Sequence, residues 1–190
     1  MARSGMANLI QRVRVIANVG TAEWTQVETY WSDDHIESEL DAHRQDLVES
    51  IAPLSINVDG AAEYHDYYLT HGDIEEASSG TAAWQVRTTD GALQGTANYS
   101  VNYRRGLINF PADTGGSHML VRYRTYDLYA TAANIWEARA GNVAAYYNIK
   151  EGEHSLSRTQ WFEHCMAMAS QMRRKGKGRV VRMVRSDING

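Results

Sequence analysis

The sequence predicts an α+β protein that is mainly an α-helical bundle of about four helices, with an antiparallel β insertion between the second and third helices and an extended C-terminal arm. Three observations indicate this class. Four segments carry apolar residues at helical spacing, and the region between the second and third is rich in short alternating runs and turn residues. The hydrophobic period also changes from two to 3.6 at Thr125–Tyr126–Asp127, which joins a strand directly to a long helix.

Residues 1–56 are predicted to supply the first two helices of the bundle. A helix from about Met6 to Val19 is indicated by apolar residues at helical spacing: Leu9, Ile10, Val13 and Ile16. A second helix, from about Asp33 to Ser50 and ending before Pro53, begins with the capping sequence Ser32–Asp33–Asp34. Its expected apolar stripe is Ile36, Leu40, His43, Leu47 and Ile51.

Residues 57–125 are predicted to form the β insertion, a compact antiparallel sheet of five short strands. The clearest strand is the run in which Trp84, Val86 and Thr88 alternate with polar residues, the pattern of a strand buried on one face. Further strands are expected over 64–70, 96–103, 107–110 and 118–125, with turns at Asp90–Gly91 and at 104–106.

Residues 126–175 are predicted to complete the bundle with a third helix from Tyr126 to about Tyr147 and a fourth from about Ser157 to Lys175. The third helix is rich in alanine, which allows a neighbouring backbone to approach closely. The buried stripe of the fourth helix is expected to be Trp161, Phe162, Cys165, Ala169 and Met172.

Charge is distributed unevenly along the chain. The net charge is −4, yet the segment from Gln171 to Gly190 holds seven basic residues and one acid. Residues 176–190 are therefore expected to form a separate basic arm, whereas the remainder is acidic. No apolar run reaches the length of a membrane span, and the first residues lack an apolar leader. We expect a soluble protein made in a cytoplasm, with no membrane partner.

Aromatic usage favours tyrosine and tryptophan: eleven Tyr and five Trp stand against two Phe. These side chains bury a ring while keeping a polar group, which suits surfaces that become covered on assembly. Half-buried strands also favour Tyr and remain an alternative explanation.

Patterns that resemble reactive sites are better explained structurally. Asp113–Thr114–Gly115 matches the aspartic-protease triplet, but one copy cannot supply the two facing carboxylates. His65, Asp66, His71 and Asp73 could be imagined as metal ligands, although a polar strand end explains them better. Cys165 falls on an apolar helix face, and no glycine-rich loop opens a helix. We expect no enzyme activity, no catalytic or metal site, and no cofactor.

The order of elements resembles the head–tail connector (adaptor) proteins of tailed bacteriophages, which form a ring beneath the portal. The likeness spans about residues 9–187 and is carried by SDDHIESELDAHRQDL, GLINFPADTGG, YRTYDLYATAANIWEARA, SRTQWFEHCMAMASQMRRK and VRMVRSD. The resemblance implies a structural virion protein of the neck, assembled as a ring of twelve subunits. It would join the DNA-filled head to the tail and leave a channel for DNA ejection.

The partners that the resemblance implies are other copies of the chain, the portal protein and a downstream neck or tail-completion protein, with DNA passing through the lumen without specific binding. The basic and apolar arm is suited to portal docking through Arg179, Val180, Val181, Arg182, Met183, Val184 and Arg185. Contact with DNA and a solvated tail without a partner are the other possibilities for this arm. Candidates for the subunit interface are Tyr129, Ala133, Arg139 and Tyr147. The alternative function is a ligand- or nucleic-acid-binding module that acts through the β insertion or the basic tail.

Overall fold

The computed structural model describes residues 2–19, 31–59, 61–80, 82–143, 149–151, 154–156 and 158–176. This part of the chain contains four α-helices, which are α1 (Ala7–Ile16), α2 (Asp33–Asp41), α3 (Leu128–Val143) and α4 (Arg158–Gly176). Its strands are β1 (Arg44–Ile51), β2 (Pro53–Val58), β3 (Ala61–Tyr68), β4 (Trp84–Thr88), β5 (Ser100–Asn102), β6 (Leu107–Asn109), β7 (Met119–Tyr126), β8 (Ile149–Glu151) and β9 (His154–Leu156).

The α+β class is correct, but the prediction of a mainly helical bundle is wrong. Two antiparallel sheets, in the orders β1-β7-β4 and β2-β3-β6-β5, stand beside the helices, and β8 pairs with β9 in a small hairpin. The sheets have a hydrophobic core of their own, which includes Tyr67, Ile108, Val121 and Tyr123. The protein is therefore built around two cores of different architecture.

The second predicted helix is the main source of this error. Helix α2 begins as predicted, where Ser32 Oγ accepts a hydrogen bond from His35 N at 3.2 Å, but it ends at Asp41. Residues 44–51, which were expected to continue it, form strand β1 against β7. Leu47 and Ile51 are four residues apart, and this spacing fits one face of a strand as well as one face of a helix. Pairing with β7 places them opposite Tyr123 and Met119.

The other strands follow the predicted pattern with shorter bounds. Trp84 and Val86 are buried on β4, and β7 buries alternate residues from Met119 to Thr125. The strand expected over 96–103 is confined to β5, because Thr96–Asn98 forms a 3-10 turn. The sheet region begins at Arg44 and not at residue 57, since β1 and most of β2 precede that boundary.

The helical core joins α1, α2, α3 and α4. Its buried side chains include Val13, Ile36, Ile135, Trp136 and Cys165. The small residues Ala132, Ala133 and Ala140 of α3 are buried in the same core, and α4 is the main partner of α3. The alanine-rich side of α3 is thus covered within one subunit. None of the described helices is long and apolar enough to cross a membrane.

Two glycines allow two backbone segments to pass close to each other where the chain runs between the two sheets. A Cβ on Gly72 would lie 2.2 Å from Arg104 O, and one on Gly106 would lie 2.2 Å from His71 O. Gly106 also has a φ of +66°, a conformation that glycine adopts without strain. The crossing brings residues 73–75 alongside β7, where Glu75 N donates to Arg124 O at 3.0 Å.

Candidate interaction surfaces

The Asp113–Thr114–Gly115 segment is a turn that fastens a loop to strand β3. The Asp113 carboxylate accepts hydrogen bonds from Gly115 N and Tyr64 N, both at 3.0 Å, and these bonds lower the pKa of Asp113. Thr114 Oγ1 donates to Tyr64 O at 2.8 Å and accepts from Tyr67 O–H at 2.6 Å. Each polar group of the triplet thus has a structural partner.

The residues considered as metal ligands do not converge. His65 Nδ1 lies 2.9 Å from Phe110 O, Asp66 accepts from Asn109 Nδ2 at 2.7 Å, and Asp73 forms an ion pair with Arg12. His71 lies 3.4 Å from the hydroxyl of Tyr123 instead. Within the described part of the chain, no group of three or more His, Cys, Asp or Glu residues could hold a metal ion.

A buried ionic network connects the two cores. Glu75 is fully buried; Tyr126 O–H donates to its Oε2 at 2.6 Å, and Arg124 Nη1 lies 3.5 Å from the same oxygen. Arg3 Nε lies 3.2 Å from Glu75 Oε1 and 2.8 Å from Glu37 Oε1 of α2. Burial and the bond to Glu75 raise the pKa of Tyr126, so its hydroxyl remains a donor. The network fixes the helical core against the end of β7.

An open cleft of about 620 Å³ lies between α1 and the β5–β6 turn. Four of its polar side chains pair with one another, since Arg12 binds Asp73 and Asn8 Nδ2 donates to Glu76.

The outer face of the β1-β7-β4 sheet is uncovered. Cross-strand pairing puts Val48, Leu120, Arg122 and Arg87 on this face, because Val48 pairs with Arg122, and Leu120 pairs with Arg87. Val48 is 61% exposed and Leu120 is 40% exposed. We call these four residues the basic sheet face. Arg122 has no ion pair within the ranges that the structure describes.

The β2–β3 hairpin carries a second exposed apolar surface of opposite charge. Leu54 and Ile56 are 51% and 45% exposed, and their partners on β3 are Asp66 and Glu63. The register shifts between Leu54 and Ser55, whose partners are Asp66 and Tyr64, so His65 is an extra, bulged residue. The bulge puts both acids on the face of Leu54 and Ile56. We call these four residues the acidic hairpin face.

Helix α4 exposes large side chains that were predicted to be buried. Cys165, Ala169 and Met172 form its buried stripe as expected, whereas Trp161 and Phe162 are 38% and 43% exposed. These two flank the stripe near the start of the helix, and Met166 is 41% exposed on the same side as Phe162. Trp161 stacks on His164 at a ring distance of 5.6 Å. Helical spacing alone could not distinguish the flanks from the centre of the stripe.

The residues predicted to form the subunit interface lie in different environments, some exposed and some buried. Tyr129 is 37% exposed at the start of α3. Ala133 is fully buried, and Arg139 donates to Ala17 O at 2.9 Å and Asn18 O at 3.1 Å while lying over the Trp136 ring. These two serve the interior of the subunit. Tyr147, also predicted to lie in the subunit interface, is outside the described residues. The arm residues 179–185, predicted to bind the portal, are outside them as well.

No protein-family model matches the chain, and no curated protein matches it significantly.

Proposed function

We propose that this protein is a structural head–tail adaptor of a tailed bacteriophage, a ring-forming neck protein that binds beneath the portal. The observation that carries the proposal is the exposure of large apolar side chains on three separate elements of one subunit. Val48 and Leu120 lie on one sheet, Leu54 and Ile56 on the hairpin, and Trp161 and Phe162 on α4. Clustered exposed apolar residues mark contact surfaces.

Separate contact surfaces on one subunit suit a ring. Each subunit of a ring makes two unlike contacts with its neighbours, and a third surface is needed for the rings above and below. The buried Arg3–Glu75–Tyr126 network supports the same proposal, because it joins the two cores into a rigid unit that can transmit contacts between neighbours. The sequence resemblance to connector proteins supplies the particular ring, the portal and the location in the virion neck.

The test is the mass of the complete chain, alone and with purified portal rings, measured by native mass spectrometry and electron microscopy. We expect a closed ring of this protein, of twelve copies if the resemblance holds, stacked coaxially on the portal. A chain that stays monomeric at all concentrations and leaves portal rings undecorated would exclude the proposal.

A further inference from the structure

Two exposed faces of one subunit are complementary in both charge and hydrophobicity. The basic sheet face presents Val48 and Leu120 beside Arg87 and Arg122, and the acidic hairpin face presents Leu54 and Ile56 beside Asp66 and Glu63. We propose that the acidic hairpin face of one copy binds the basic sheet face of the next copy, and that this contact closes the ring. The inference rests on the proposed function and identifies the surfaces that meet.

The hairpin has the features of an element that is completed by a partner. Leu54, Ser55 and Ile56 are all exposed in succession, so neither face of β2 is covered along this stretch. β3 pairs with β6 only at residues 66–68, so the rest of β2 and β3 forms a two-stranded hairpin, which is marginally stable without further packing. β2 is also one of the two edge strands of its sheet. A partner that covers Leu54 and Ile56 would remove apolar surface from water in the part of the hairpin that has the fewest packing contacts within the subunit.

The sheet face is the matching receptor because its apolar side chains lie beside arginines that have no acidic partner in the described ranges. Arg122 has no acidic partner in the described ranges, and Arg87 donates only to Gly91 O, at 2.9 Å. By contrast, Arg124 of the same face is already bound to Asp46 at 2.8 Å. Arg87 and Arg122, beside two exposed apolar side chains, are therefore available to bind carboxylates of another molecule.

Within the described part of the chain, the acids of the hairpin pair with no Lys or Arg side chain. Glu63 lies 3.0 Å from His65 Nε2, and Asp66 accepts from an amide of Asn109. When the two faces meet, each carboxylate can pair with an arginine while the apolar side chains pack at the centre. Complementary potentials of this kind select the partner and fix the register of the contact.

The pairing joins two unlike faces, so it predicts continued association and not a dimer of fixed size. Each contact leaves one unused face at either end of the growing assembly. Association ends in a closed ring when the rotation between neighbours brings the last copy to the first, and otherwise gives an open filament. An isologous contact would instead use the same face twice and stop at two copies.

The test uses charge reversal and its rescue in the complete chain. One variant carries Glu63→Lys and Asp66→Lys, a second carries Arg87→Glu and Arg122→Glu, and a third combines all four changes. Arg105→Glu is the matched control, since Arg105 is exposed on the β5–β6 turn and belongs to neither face. Folding is checked for each by circular dichroism, and association by sedimentation and by ring formation on purified portal.

We expect each two-residue variant to associate at least tenfold more weakly than the original protein, and the control to be unchanged. The combined variant, and an equimolar mixture of the two weakened variants, should assemble again because every contact then joins opposite charges. Folded variants that still form rings normally, or a combined variant as weak as its parents, would overturn this interface while leaving the adaptor function intact. Absence of any ring from the original protein would overturn the adaptor function itself.

Discussion

At the scale of single residues, Glu75 shows how the fold depends on a buried charge. Its carboxylate is held by Tyr126, Arg3 and Arg124, which come from β7 and the N-terminal segment. Arg3 Nε and Glu75 Oε1 are close but not aligned for a hydrogen bond, so the Tyr126 hydroxyl is the best-placed donor. Such networks are costly to break because the remaining charge stays buried.

Replacing Tyr126 with Phe should therefore destabilise the protein by about 1.5–3 kcal/mol, the range for a lost hydrogen bond to a charged group. Urea unfolding followed by tryptophan fluorescence measures the change in free energy of unfolding. Tyr129→Phe is the control, because Tyr129 is exposed, and its effect should stay within about 0.5 kcal/mol. Equal effects of the two substitutions would show that Tyr126 does not stabilise Glu75.

His65 provides a pH-dependent contact at the hairpin bulge. The hydrogen bond to Glu63 and the one to Phe110 O raise the pKa of His65. Because the folded pKa lies above that of the unfolded chain, the stabilisation is complete below the unfolded pKa of about 6.5 and is lost as pH rises through the folded pKa. NMR titration should show a His65 pKa above the ordinary histidine value. Glu63→Gln should return its pKa toward that range; an unchanged pKa would contradict the pairing.

At the scale of elements, the aromatic residues of α3 and α4 contribute unequally to the helical core. Trp136 is 4% exposed, packs edge-on against His164 and lies beneath Arg139, which binds the carbonyls at the end of α1. Trp161, on the flank of α4, is far more exposed. Trp161 was predicted to belong to the buried stripe of α4, and it does not.

Trp136→Ala should cost about 3–5 kcal/mol of folding free energy, as expected for a large buried aromatic. Trp161→Ala should cost about 1 kcal/mol or less, because much of its ring is already in water. Guanidinium unfolding of the two variants gives both values. If the Trp161 variant proved the less stable, the assignment of the α4 surface would be wrong.

At the scale of the whole molecule, the buried core of the described residues ends within α4, before the basic C-terminal segment begins. The helical core extends along α4 to Met172, and no buried residue in the described ranges follows it. Gly176 lies close to Asp127 and Tyr129, where a Cβ would meet the Asp127 carboxylate at 3.2 Å. Helix α4 therefore ends beside the start of α3.

Deleting Arg179–Gly190 should leave the free energy of unfolding within about 0.5 kcal/mol of the full chain. Docking to purified portal should be lost, because the basic and apolar residues 179–185 would be missing. Thermal unfolding and electron microscopy of portal mixtures measure the two effects. Normal docking by the shortened chain would remove the portal-binding role from the arm, and a lower stability would assign it a role in the fold.

The sequence predicted those elements whose pattern fits one periodicity only. Helix α1, the cap of α2, strand β4 and the junction of β7 with α3 all occur where the residues indicated them. The candidate surfaces were less accessible to prediction. Glu63 and Asp66 share a face only because His65 is bulged, and Arg87 and Arg122 meet only through the pairing of β4 with β7. No local pattern encodes either arrangement.

The amino-acid sequence by itself determined the α+β class, the basic C-terminal segment and the change from strand to helix at residues 125–127, since all three follow from local composition and period. Only the tertiary structure decided whether residues 44–51 are helix or strand, because a spacing of four residues satisfies both and pairing with β7 selects one. It also decided which aromatic residues of α4 remain in water. Burial depends on what packs against a face, and that neighbour is distant in the chain.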